Sequence, residues 1–267
     1  MPTFEIDKTR YHYVEAGAGE PLLLLHGFTG CTDNWREVMA QLQSRHRVIA
    51  IDLPGHGKTE APNAVTHFTM PVIAQQISTF IEGVIGAPAH VLGYSMGGRL
   101  ALFLALHHPH RVKTLRLESA SPGLATEEAR RARIASDEAL ALRIERDGIT
   151  TFVDAWERLP LFASQTLAPA QARDRLRALR LQNDAAGLAL SLRGMGTGAQ
   201  PSLWERLHEW TKPALFITGA LDAKFVEINK QMALRMPRAT HHIVAAAGHA
   251  VHFEQPQWYA ASVANRI

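Results

Sequence analysis

Gly93-Tyr94-Ser95-Met96-Gly97 sets a serine between two glycines in the G-x-S-x-G pattern of a nucleophile elbow. A serine hydroxyl becomes a useful nucleophile or base only when a histidine takes its proton and a carboxylate orients that histidine. Two later residues fit these roles by position: Asp222 in Thr218-Gly-Ala-Leu-Asp222, and His249 in Ala247-Gly-His-Ala250. Each follows an apolar run, so each falls where a loop leaves the C-terminal end of a strand, the edge at which open α/β sheets place their sites. Glu118, at the end of the strand after the elbow, competes with Asp222 for the acid role. The chain holds 14 histidines, so a histidine alone says little; His249 stands out by its position and its Gly248 neighbour. His252 would suggest a metal pair with it, but no H-E-x-x-H motif accompanies the two, and a structural role is expected.

The elbow requires a strand before the serine and a helix after it. Residues 89–93 are short and apolar behind Pro88, and 99–107 read as a helix stopped by Pro109. Glycines flank the serine because the chain must turn sharply there, and the following helix aims its N–H groups at developing negative charge. Upstream, residues 3–15 read as two antiparallel strands around Asp7-Lys8-Thr9. The apolar run 21–25 reads as a strand buried on both faces. His26-Gly27-Phe28-Thr29-Gly30 follows directly; in a serine-hydrolase-like site this loop offers the N–H of Phe28, opposite that of Met96, as an oxyanion hole. His26 is expected to brace the loop. A helix at 35–42 and a strand at 47–51 come next. Asp52-Leu-Pro-Gly-His-Gly-Lys-Thr59 lacks the spacing of a phosphate loop and reads as a tight turn.

A helix at 70–85 and a strand at 112–118 continue an alternation that predicts a mostly parallel sheet flanked by helices. The rhythm breaks over 121–210, where only helical patterns occur, separated by Pro160, Pro169, Gly187 and Pro201. Residues 121–210 therefore read as an inserted helical lid, and 1–120 with 211–267 as the core domain. Strands at 214–218 and 241–244, a helix around 226–235 and a final helix ending near Ile267 complete it.

Composition narrows the partners. At 267 residues the chain can bury a substantial core. The net charge is +3, and arginine supplies 22 of the 28 basic residues, interspersed with acids, so neither nucleic acid nor an anionic membrane is indicated. Cys31 is the single cysteine, which excludes a disulfide framework or thiolate cluster and leaves packing as its role. The first ten residues lack the apolar core of a signal peptide, and no run approaches membrane-spanning length. A cytoplasmic monomer acting on a small molecule is the default expectation.

His26-Gly27-Phe28, Asp52-Leu-Pro-Gly-His-Gly57, Gly93-Tyr-Ser-Met-Gly97, Asp222 and Gly248-His249 together resemble the α/β-hydrolase superfamily over the whole chain. The elbow is widely shared there. Gly97-Gly-Arg99, Glu118-Ser-Ala-Ser-Pro-Gly-Leu124, Leu161-Phe-Ala-Ser164 and Asp222-Ala-Lys-Phe225 are more specific, and resemble the 2-succinyl-6-hydroxy-2,4-cyclohexadiene-1-carboxylate synthases of menaquinone biosynthesis. That resemblance implies an α/β-hydrolase fold and the order Ser95, Asp222, His249. It also implies elimination of pyruvate from a cyclohexene polycarboxylate, with no metal or organic cofactor. Arg99 matches the family's motif arginine. Arg133 and Arg180 lie where the family places further substrate arginines, and Trp156 where it places a substrate-contacting tryptophan.

Arginine suits a polycarboxylate because its planar fork pairs bidentately with a carboxylate. The stretch 121–210 carries 12 arginines, no lysine and 12 acids, although most of those arginines are expected on solvated helix faces with i,i+4 acid partners. For Tyr94 and Trp156 the alternative to substrate contact is packing under the lid. A carboxylic-ester or C–C bond hydrolase would use the same triad, and a mostly apolar cavity would favour it. A non-catalytic ligand sensor on the same fold is the remote alternative.

Overall fold

Leu22 to Leu25 are all fully buried in a computed structural model that describes residues 2–264. They belong to β3 of a single sheet built from β1 (Thr3–Ile6), β2 (Thr9–Ala16), β3 (Glu20–Leu25), β4 (His46–Ile51), β5 (Ala89–Tyr94), β6 (Val112–Glu118), β7 (Ala214–Gly219) and β8 (Ala239–Val244). The order is β1-β2-β4-β3-β5-β6-β7-β8. The β1–β2 and β2–β4 pairs are antiparallel, and the other pairs are parallel. Their hairpin turns at Asp7 and Lys8, both at positive φ, as a tight two-residue turn requires.

Side chains alternate across a strand, so each leucine pair of β3 serves a different layer. Leu23 and Leu25 pack with Ile73 and Ile77 of a helix at Met70–Phe80 and with Leu100 and Leu104 of the post-elbow helix. Leu22 and Leu24 pack with Trp35, with Val38 and Leu42 of an early helix, and with Tyr259 and Val263 near the C-terminus. In chain order the helices are α1 (Arg36–Leu42), α2 (Met70–Phe80), α3 (Met96–His107), α4 (Glu127–Trp156), α5 (Ala170–Leu181), α6 (Ala185–Met195), α7 (Ala223–Ala233), α8 (Val251–Glu254) and α9 (Pro256–Ala264).

From β3 the chain crosses one way to β4 and then returns past β3 to β5. The loops after β3 and β5 therefore part, leaving a crevice at the carboxyl ends where strand order reverses. Those loops are His26–Gly30 and the elbow.

Between β6 and β7 the described residues form no strand. α4, α5 and α6 lie here with 3₁₀ segments at Pro160–Leu167 and Trp204–Glu209. Ala141, Ile144, Phe152 and Val153 of α4 bury against Leu188, Ala189 and Leu192 of α6 in a cluster of their own.

Several expected boundaries move. Gly187 does not separate helices: it lies inside α6, and its lack of a side chain lets α6 approach Gly55, whose carbonyl oxygen would lie 2.9 Å from an added Cβ. The break is set instead by Asp184, whose carboxylate caps α6 at Gly187 N. Gly148, at φ 79° and ψ 170°, kinks α4. α3 begins at Met96 rather than 99, and α7 begins at Ala223 because Asp222 caps it. The expected helix end near Ile267 lies outside the described residues. No helix among those described is long and apolar enough to cross a membrane.

Candidate active site

Ser95 sits at φ 49° and ψ −106°, a conformation that costs a non-glycine residue about 1–3 kcal/mol and persists only where its surroundings over-determine it. They do so here. Ser95 N donates to Glu118 O at 2.8 Å, and Arg99 N donates to Ser95 O at 3.0 Å. A Cβ on Gly93 would overlap the Gly97 carbonyl, and one on Gly97 would overlap Leu25 O. The two elbow glycines thus let the start of α3 press onto both β5 and β3. Met96, the first residue of α3, has no acceptor for its N–H within the helix.

His249 Nε2 lies 3.0 Å from Ser95 Oγ, and its Nδ1 lies 2.6 Å from Asp222 Oδ2. With Asp222 ionised, Nδ1 carries the proton and donates to the carboxylate, leaving Nε2 to accept from the serine hydroxyl. His249 and Asp222 are both buried. Asp222 is held by its role as helix cap: Oδ1 accepts from Phe225 N at 3.4 Å, so Oδ2 is turned to the imidazole. The imidazole is walled by Phe225 and Tyr94, with ring centroids 4.7 and 5.5 Å away.

Glu118 does not orient His249. Its carboxylate accepts from His252 Nδ1 at 2.9 Å and His252 N at 3.0 Å. The competing acid is therefore taken up by His252. Among the described residues no group of three or more His, Cys, Asp or Glu could hold a metal. His26 accepts from Leu53 N through Nε2 at 2.9 Å, so its Nδ1 carries the proton and donates to Gly27 O at 2.8 Å. Burial pushes its pKa down, and the neutral ring braces the loop that carries Phe28. Asp52 likewise closes the following loop, accepting from Thr32 N and Lys58 N. Cys31 is buried, its thiol pushed up to about 12 by burial and then by Asp52.

A cavity of about 260 Å³ opens above Ser95, and Phe28, Tyr94, Met96, Arg99, Arg133, Trp156, Arg180 and His249 all line it. Much of its wall is apolar. Trp156 packs its ring 5.4 Å from those of Phe28, Phe152 and Phe162, with a buried Nε1 that has no hydrogen-bond partner among the described residues. Tyr94 packs its ring 4.6 Å from that of His252 at an inclined angle of 59°, and burial followed by Glu118 drives its phenol pKa well up. It stays protonated.

The three arginines differ. Arg99, on α3, is 8 % exposed and donates through Nη1 to the neutral Gln200 Oε1 at 2.9 Å. Among the described residues no carboxylate hydrogen-bonds to it; burial, then Arg133, pulls its pKa down to about 10 against the opposing field of Asp137. Arg180, on α5, pairs with Glu157 at 3.0 Å, donates to Gln165 at 3.1 Å and lies over Phe162. Arg133, on α4, is half-exposed and pairs with Asp137 one turn on. Gln200 escapes a reading of the sequence because nothing marks a residue 101 positions from the arginine it holds. Lys224 also lines the cavity; it stands within Asp222-Ala-Lys-Phe225, where its type and place alone give it no role.

The α/β hydrolase fold family model matches residues 20–256. A Bacillus subtilis (strain 168) protein, named provisionally as a 2-succinyl-6-hydroxy-2,4-cyclohexadiene-1-carboxylate synthase, is 42 % identical over 255 residues, 95 % of this chain and 93 % of its own. The enzyme of that name from Enterobacter sp. (strain 638) is 35 % identical, with 92 % of this chain and 93 % of its own covered. The solved structure of MenH from S. aureus superposes with a TM-score of 0.90 at 33 % identity, covering 96 % of each chain.

Proposed function

The chain belongs to the α/β-hydrolase family and, within it, to the 2-succinyl-6-hydroxy-2,4-cyclohexadiene-1-carboxylate synthases; from that membership we propose that it acts as a carbon–oxygen lyase. The reaction removes pyruvate from 2-succinyl-5-enolpyruvyl-6-hydroxy-3-cyclohexene-1-carboxylate and leaves the cyclohexadiene, a step in menaquinone biosynthesis. The observation that carries this reading is Arg99, a buried guanidinium beside the elbow whose hydrogen bond goes to a neutral amide, with no carboxylate among the described residues in direct contact. A buried charge with no hydrogen-bonded counter-ion is costly, and a substrate carboxylate would supply one.

In the proposed sequence Ser95 gives its proton to His249 and abstracts a ring proton made acidic by conjugation to the succinyl ketone. Asp222 stabilises the imidazolium. The enolate oxygen lies against the N–H groups of Phe28 and Met96; one such donor is typically worth roughly 10²–10³ in rate. Electrons then move through the ring, the carbon–oxygen bond to the enolpyruvyl group breaks, and a proton from the triad is returned as enolpyruvate becomes pyruvate. No acyl-enzyme forms, and no metal or organic cofactor takes part. Arg180, Arg133, Tyr94 and Trp156 complete the substrate site beneath residues 121–210, which act as a lid. The cytoplasm is the proposed setting.

The apolar part of the wall is what a hydrolytic reading rests on. Pyruvate release from the enolpyruvyl substrate, run beside hydrolysis of p-nitrophenyl acetate, separates the two. The lyase is expected to release pyruvate fast and cleave the ester feebly. Rapid ester turnover with pyruvate release no faster than the spontaneous background would overturn the proposal.

A further inference from the structure

The loop that carries His249 ends on a carboxylate that takes no part in the proton transfers. Glu254 Oε2 accepts from Gly248 N at 2.7 Å, and its Oε1 accepts from Ala250 N at 3.3 Å. These are the amides immediately before and after His249. The loop enters through Ala246 at φ 56° and leads into α8, four residues long, whose N-cap position is Ala250. Alanine has no side chain to cap a helix, so Glu254 reaches back from the last position of that turn to do so. Two residues on, His252 N ends on Glu118, whose own carbonyl holds Ser95 N. The amides of 248, 250 and 252 therefore all close on carboxylates, and His249 is the residue between the first two.

We propose that Glu254 is a positioning residue for His249, gripping the backbone on both sides so that the imidazole meets Ser95 and Asp222 together. The assignment rests on His249 being the triad base. Hydrogen bonds from backbone N–H to an ionised carboxylate are about twice as strong as neutral ones, and two from one side chain fix an orientation as well as a place. His249 needs that constraint because its ring must satisfy 3.0 Å to Ser95 Oγ and 2.6 Å to Asp222 Oδ2 at once. A shift of about 1 Å at such a group costs about 10²-fold in rate.

The test compares the wild type with Glu254→Ala, which removes both acceptors, and with Glu254→Gln, near-isosteric and able to accept from only one of the two amides. The first readout is the rate at which a fluorophosphonate labels Ser95, which needs the serine activated but not the natural substrate. The second is kcat and KM for pyruvate release, both taken well below the unfolding temperature of each variant. The expected result is labelling and kcat about 10²-fold slower in Glu254→Ala, a smaller loss in Glu254→Gln, and an unchanged KM in both. Variants that label and turn over at the wild-type rate, or that raise KM at constant kcat, overturn the proposal. A wild type that labels but releases no pyruvate overturns the substrate reading alone, because labelling still decides the role of Glu254. One that does neither overturns both.

Discussion

The floor and the roof of the cavity hold arginine in opposite ways. On the floor, Arg99 projects from α3 with its charge buried and, among the described residues, no carboxylate hydrogen-bonded to it. In the roof, Arg180 already has Glu157 and Arg133 already has Asp137. An anion meeting Arg99 gains the full interaction, since no existing ion pair must be broken. An anion meeting Arg180 or Arg133 gains only the difference between its own carboxylate and the protein's. The comparison teaches that lining the same cavity does not make the arginines equivalent: one is kept waiting, the others must exchange partners.

The largest expected effect lies outside the arginines and sets the scale. Ser95→Ala should lower kcat for pyruvate release by a factor on the order of 10⁴–10⁶, as loss of a triad nucleophile does elsewhere; a variant keeping most of its activity would break the triad reading outright. Next comes the floor. Arg99→Met should lower kcat/KM by an amount equivalent to about 2–5 kcal/mol, the range for truncating one partner of a buried charge pair. Its melting temperature should nevertheless rise, because removing a buried guanidinium with no bonded carboxylate outweighs the lost hydrogen bond to Gln200. Arg180→Met should move stability the other way, since Glu157 loses a partner held at 3.0 Å. Melting temperatures that shift in the same direction would erase the distinction between floor and roof. The smallest effect on kcat/KM belongs to Arg133→Ala, because its guanidinium is half-exposed and already paired with the buried Asp137. A loss in kcat/KM matching that of Arg99→Met would show that the roof arginine contributes to substrate binding on a par with the floor one.

Much of the fold is legible in the sequence because its signals are local. A strand buried on both faces must be apolar throughout, so 21–25 and 214–218 stand out. A sharp strand-to-helix turn needs glycine, so 93–97 does too. The errors have the same origin. Gly97 and Gly98 look like loop, which hides the first turn of α3. Gly187 looks like a helix breaker, but it marks the contact of α6 with Gly55, and a contact between residues that far apart leaves no periodicity. Asp222 reads as an acid and not as a cap, although it is both, and so the start of α7 falls earlier than the pattern suggests.

The sequence by itself determined the order of strands and helices, the elbow, and the set of side chains with suitable chemistry at strand ends. Burial and turn chemistry impress themselves on neighbouring residues, and that is all a single chain can display. Only the tertiary structure decided which carboxylate meets which histidine, pairing Asp222 with His249 and Glu118 with His252. It alone decided that, among the described residues, Arg99 has no carboxylate bonded to it while Arg133 and Arg180 are paired, and that Glu254 closes on the amides around His249. Each of these rests on distances of about 3 Å set by how the elements pack, and nothing in the local pattern of the chain specifies them.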